Sequence, residues 1–287
     1  MKPVKITAMK QPCVVGMAGV LLCAMQLAAA EVSPEAQADD EFAHATALPG
    51  DSLWAVNVGA ASSSTSGNAR TRNVNFVLDA QRRTEANRLS INAEFVKSSS
   101  EVEDEETGRR SETTTAFREL AGVRYDHNLS EHVFAFGGLE LSRDRIALLD
   151  LRQVYSTGFG YQFLRGDKHS WDVLSGVSYR EDRYMSPGVE INGKLHDELY
   201  VHELMLGEES SHKLTKSVQF QQKLTLNRSL GEVQGTRGQF DMGVQVALNG
   251  SLSLSVKLQR RYDGLAQAPV QRFDTLVFTG INMKFGG

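Results

Sequence analysis

The chain has 287 residues with 31 basic and 35 acidic side chains, and its only cysteines are Cys13 and Cys23. An acidic balance of this kind speaks against a nucleic-acid partner, whose phosphates demand a basic patch. Both cysteines fall in an N-terminal segment with the marks of an export signal, so the rest of the chain has no thiol for a disulfide, a metal site or a nucleophile.

Residues 1–10 carry Lys2, Lys5 and Lys10 without an acid, residues 13–25 are apolar, and Ala28-Ala29-Ala30 offers the small side chains of a cleavage site. Spanning hydrocarbon as a helix takes about 20 apolar residues, so this run is a signal core and not an anchor. Residues 1–30 are therefore expected to be a cleaved signal peptide. Its removal takes three lysines from the 31 bases and leaves 28 against 35 acids, a net charge of −7. Cys23 follows Leu21-Leu22 instead of a small residue, which disfavours lipid attachment. The polar, alanine-rich segment 31–50 is too short to bury a core and is expected to be a flexible periplasmic tether before a single domain over 51–287.

From Leu53 onward the hydrophobic period is two, the period of a strand. The pattern predicts strands over 54–60, 74–80, 89–95, 117–125, 133–141, 155–163, 171–179, 200–206 and 218–226. Next come 240–248, where Phe240, Met242, Val244, Val246 and Leu248 alternate with polar or small residues, then 252–258 and 275–285. Asn249-Gly250, between two of them, is the residue pair a tight type I′ hairpin prefers. Short links at 84–88, 127–131, 165–169, 210–213 and 249–250 alternate with longer ones at 98–113, 142–152, 180–198, 227–237 and 262–272; the first loop, 62–70, is modest. About twelve strands joined in this short–long alternation predict an all-β fold, a transmembrane antiparallel up-and-down β-barrel. A soluble Greek-key sandwich has no reason to alternate its connections.

With the apolar set facing outward, the inward set includes Asp79, Glu94, Arg118, Arg124, Glu140, Asp172, Lys223, Asp241, Lys257 and Lys284. Charges of both signs would be ruinous in a sandwich core but are ordinary in a barrel lumen. The register is ambiguous near Phe134 and Tyr200, where either His202 or Glu203 faces inward. Trp54, Tyr125, Tyr161, Phe163, Trp171, Tyr179 and Tyr262 fall near strand ends, as interfacial girdles require.

Several strings resemble one family. They are Gly59-Ala60-Ala61-Ser62 leading through Gly67-Asn68, Val123-Arg124-Tyr125-Asp126 followed by Leu129, and Gly158-Phe159-Gly160-Tyr161. Gly176-Val177-Ser178-Tyr179-Arg180-Glu181 and the stretch 262–269 with Asp274 extend the likeness over most of 51–285. The chain resembles the YdiY-like salt-induced outer-membrane proteins, a domain of unknown function. The resemblance implies an outer-membrane barrel of a Gram-negative cell linked to salt or osmotic response, and it supplies no catalytic residues. Many such barrels end on an aromatic residue read by the assembly machinery; here Thr279, Ile281, Met283 and Phe285 keep the alternation but Gly286-Gly287 follow.

No catalytic, cofactor-binding or metal-ligating residue is nominated, and no enzymatic activity or cofactor is expected. His127-Asn128-Leu129-Ser130-Glu131 holds a serine and a histidine but lacks the order of membrane lipases and reads as a turn. Glu101, Glu103, Asp104, Glu105 and Glu106 read as a solvated loop, and the histidines show no metal spacing. Arg82-Arg83 and Arg260-Arg261 sit at strand ends; only the second pair lies where lipopolysaccharide phosphates would be. Expected partners are outer-membrane lipids and lipopolysaccharide and the barrel-assembly machinery, with no nucleic acid and an open oligomeric state. The expected function is an envelope or osmotic-stress role or a porin-like small-solute channel. The alternatives are an outer-membrane hydrolase, lipase or protease, and a soluble periplasmic ligand-binding β protein.

Overall fold

The computed structural model describes residues 54–65, 70–103, 110–166, 168–191, 193–231, 233–266 and 271–285, so the predicted signal, the tether and the acids Asp104 to Glu106 lie outside the described residues. Twelve antiparallel strands close into a barrel: β1 (Trp54–Thr65), β2 (Arg70–Arg83), β3 (Asn87–Glu103), β4 (Arg110–Asn128), β5 (Val133–Asp144), β6 (Leu149–Arg165), β7 (His169–Tyr184), β10 (Glu198–Lys213), β11 (Val218–Leu230), β12 (Thr236–Ala247), β13 (Leu252–Asp263) and β14 (Phe273–Phe285). Two further strands, β8 (Val189–Ile191) and β9 (Lys194–His196), pair only with each other. Each barrel strand neighbours the next in sequence, and the seam closes where β1 meets β14 from Val56↔Phe285 to Ala60↔Ile281. Over that stretch closure pairs the first strand with the last, so no backbone edge is left open there, which is the condition for crossing hydrocarbon with strands.

The polarity of the wall is inverted relative to a soluble protein. Phe159 is 62% exposed, Val277 65% and Leu206 58%, while Arg180 and Glu203 are completely buried. Only a medium of lipid outside and a polar interior makes that distribution favourable. All the girdle aromatics of the sequence reading fall on the outer face. On β7, Trp171 and Tyr179 are eight residues apart, roughly 26 Å of strand, which at a tilt of about 40° spans most of an apolar band about 25 Å tall. Beyond Tyr179 and Tyr200 the outer face turns charged, with Arg183 Nε 3.4 Å from Glu198 Oε1.

Two sequence expectations change. The Asn249-Gly250 turn is not a two-residue type I′ hairpin, because neither residue has the positive φ that type requires. The Leu248 amide donates to the Leu252 carbonyl, and Asn249 Oδ1 accepts from the amides of Ser251 and Leu252, so the asparagine builds the bend with its side chain. The long connections are also shorter than predicted. Strands β3 and β4 stay paired out to Glu103↔Arg110, and β5 and β6 run to Asp144↔Leu149, inside segments read as loops. Above the bilayer the outer face has no lipid to meet, so the alternation fades while the backbone ladder continues. The 180–198 loop contains the β8–β9 hairpin, bracketed by Gly188 (φ 94°) and turning at Gly193 (φ 77°).

Candidate functional site in the barrel lumen

The pleat sends every second side chain of each strand into the lumen, where the acids and bases meet in three layers. In the layer nearest the tight turns, Arg88 Nε donates to Asp126 Oδ2 at 2.6 Å and reaches Asp172 at 3.4 Å, and Arg124 contacts Asp126 at 2.9 Å and Glu209 at 2.6 Å. Lys223 adds a contact of 3.0 Å to Glu209. The Arg88 and Arg124 guanidinium groups lie over the rings of Phe134 and Phe136, at 5.5 and 6.0 Å from the centroids. Those phenylalanines face inward and are 0% and 4% exposed. They fill space left by β6, since any Cβ added to Gly160 would collide with the Phe134 ring and one added to Gly158 would press on Phe136.

In the middle layer Arg118 donates to both Glu94 and Gln259, Gln259 Nε2 donates to Asp241 Oδ1 at 2.9 Å, and Lys257 stands 3.9 Å from Glu94 and 4.0 Å from Asp241. The third layer lies toward the long loops. Arg152 grips Asp182 through two hydrogen bonds of 2.7 and 2.8 Å, Arg180 contacts Asp182 at 2.7 Å and Glu203 at 3.3 Å, and Arg237 pairs with Glu203 at 2.6 Å. Tyr184 and Ser178 hydroxyls donate to Asp182 and Glu203.

Many of these contacts cross the barrel instead of linking neighbours. In the twelve-strand ring Arg118 on β4 and Gln259 on β13 are five strands apart, as are Arg152 on β6 and Asp263 on β13, 3.7 Å from each other. Arg261 on β13 reaches Asp144 on the opposite strand, β5, at 3.4 Å. Ion pairs therefore tie the walls together across the lumen at several heights. Space remains between them, because Lys223 and Lys257 are still 51% and 37% exposed. An apolar cap joins Ile191 and Val189 of the β8–β9 hairpin to Leu199 and Val201, which stand level with Asp182 and Arg180 of the third layer, and to Val233 and Leu265.

The nominated inward residues Glu94, Arg118, Arg124, Asp172, Lys223, Asp241 and Lys257 all take part in these layers. Asp79 and Glu140 also stand on inner positions but remain accessible, and Lys284 falls in register with Asn57. The ambiguous registers are settled: Phe134 and Glu203 face in, His202 and Tyr200 face out. Sequence reasoning missed Arg88, Asp126, Arg152, Arg180, Asp182, Glu209, Arg237 and Arg261 as lumen groups. Extending the inward parity past the predicted strand ends finds most of them, since Asp172, Arg180 and Asp182 share one face of β7.

The weaker candidates resolve into structural roles. Ser130 Oγ accepts from the Val133 amide at 3.1 Å and His127 Nδ1 lies 2.7 Å from Asn87 Oδ1, so the two serve a turn and a strand end. Among the described residues no group of His, Cys, Asp or Glu is placed to hold a metal ion. Arg260 and Arg261 point to opposite sides, Arg260 over the Phe273 ring at 4.7 Å outside and Arg261 on Asp274 at 2.8 Å within.

No curated protein matches the chain. Among solved structures it is similar to the translocator domain of the autotransporter NalP from Neisseria meningitidis, at 10% identity over 86% of this chain and 98% of that one, TM-score 0.46. An outer membrane channel from Pseudomonas putida F1 gives 13% identity, coverage of 89% and 99%, and TM-score 0.42. The transport unit of the autotransporter AIDA-I from Escherichia coli gives 10%, coverage of 93% and 96%, and 0.39. At these values neither function nor substrate transfers from them. A family model described as "Protein of unknown function, DUF481" matches residues 57–285, and the chain belongs to that family.

Proposed function

We propose that the protein is an outer-membrane barrel of a Gram-negative cell, exported by a cleaved signal peptide, that catalyses no reaction and holds a narrow polar passage for small solutes closed at rest. The observation that carries this reading is the set of ion pairs crossing the lumen between strands four to six places apart in the ring. A structural barrel with no passage needs only a filled interior. Here the interior is filled with charges and accessible lysines, which keep water inside and leave ties that can be broken one at a time. The resemblance to salt-induced outer-membrane proteins and the export signal support the location and an envelope or osmotic-stress role.

Planar-bilayer recording tests it. The wild-type barrel is expected to conduct weakly, and Arg118→Ser with Arg124→Ser, which cuts the middle and lower ties, is expected to raise single-channel conductance several-fold. A wild type as conductive as an open porin, or a double variant that folds and leaves conductance unchanged, overturns the closed-passage reading. Growth of a deletion strain across salt concentrations tests the stress role.

A further inference from the structure

On the lipid-facing side, strands β7, β10 and β11 carry a groove of about 550 Å3 close to the tight turns. Cross-strand register sets its order. His212 is level with His169 and Phe220, nearest the turns; Ser210 is level with Trp171 and Gln222; Glu208, furthest in, is level with Leu224. Ser210 is small between two large neighbours, and that hollows the wall.

Polarity changes along the groove. The exposed Lys168 and Lys216 lie in the turns beside its outer end. Then come His169 and His212, whose Nδ1 atoms are 3.1 Å apart, followed by the Ser210 hydroxyl and the Gln222 amide, and finally leucine. Gln222 Nε2 donates to Glu208 Oε2 at 3.0 Å, which holds that carboxylate against β11. Glu208 stands roughly 13 Å along the strand from His212, too far to repel an anion bound at the histidines. From water inward the sequence is basic, then hydrogen-bonding, then Leu224 beside the Glu208 carboxylate that Gln222 holds.

The geometry points to a seat for one glycerophospholipid of the periplasmic leaflet, with its phosphate at His169 and His212, its glycerol esters at Ser210 and Gln222, and an acyl chain along Leu224. Cationic turns attract such headgroups. A second copy of the chain fits poorly, because two convex barrel walls meet along a line and leave a concavity unfilled. The inference rests on the membrane reading above, with the tight turns in the periplasm.

Native mass spectrometry of the full-length barrel, delipidated and then exposed to phosphatidylglycerol, diacylglycerol or inorganic phosphate, tests it. Wild type is expected to retain one phosphatidylglycerol and at least ten-fold less diacylglycerol. Ser210→Phe, which fills the hollow, is expected to cut phosphatidylglycerol occupancy at least ten-fold, and His169→Gln with His212→Gln several-fold, with heat-shifted gel mobility unchanged. An adduct that survives Ser210→Phe, equal binding of diacylglycerol, displacement by millimolar phosphate, or a dimer split by Ser210→Phe each overturns the proposal. Failure of wild type to float with lipid vesicles would instead strike the membrane reading itself.

Discussion

Glu203 shows how a single residue carries the design of the lumen. It is fully buried, bridges Arg180 and Arg237, and accepts the Ser178 hydroxyl. Removing one partner of a buried ionic network leaves uncompensated charge and costs about 3–5 kcal/mol. Glu203→Ala is therefore expected to lower unfolding free energy in vesicles by about 3 kcal/mol or more, read from urea titrations. Glu203→Gln, which keeps shape and hydrogen bonding but not charge, should cost less; equal effects of the two would mean that the charge alone, and not shape or hydrogen bonding, matters there. Phe134 is the apolar counterpart. Its ring covers Gly160 and lies under Arg88, so Phe134→Ala is expected to cost about 3–5 kcal/mol in the same assay. Neither residue's direction was legible in the sequence. Next to each other, His202 and Glu203 both suit either face on hydropathy, and Phe134 goes inward because glycines on the adjacent strand leave a hole, a fact of pairing that one strand cannot announce.

At the scale of elements the twelve barrel strands were legible because lipid imposes a strict apolar face wherever a strand crosses it. Strand ends were not, since beyond Tyr179 and Tyr200 the outer face meets water and Arg183 and Glu198 take the outward positions. The β8–β9 hairpin was hidden for a related reason: its strands are three residues long, too short for a period to show. Its place over the mouth gives it a testable role. Ile191 is 2% exposed among Leu199, Val201, Tyr184 and Leu265, so the hairpin is held down by apolar contact. Ile191→Asp puts a charge into that contact and is expected to free the hairpin, raising conductance and uptake of small hydrophilic antibiotics while leaving the barrel heat-modifiable. No change in either measurement, with the barrel intact, would mean that the cap does not limit passage.

For the whole molecule, the decisive property is that charge inside the barrel is mixed. A strongly selective pore needs rings of one sign. Here each layer alternates, with Lys223 against Glu209 and Lys257 between Glu94 and Asp241. The sequence showed that both signs face inward; it could not show that they pair across the ring, because partners such as Arg261 and Asp144 are 117 residues apart. The wild-type reversal potential under a tenfold potassium chloride gradient is accordingly expected to lie near zero. Lys223 and Lys257 are the accessible cations of the two lower layers, and their long side chains end in open lumen. Lys223→Glu with Lys257→Glu leaves Glu209, Glu94 and Asp241 without those counter-charges and adds two acids beside them. Arg88, Arg118 and Arg124 keep their own acidic partners, so the wall stays tied. The double variant should then favour cations, with a reversal potential displaced by tens of millivolts toward the potassium potential. Unchanged selectivity in a folded double variant would mean that ions do not pass these lysines, and the lumen would have to be regarded as sealed.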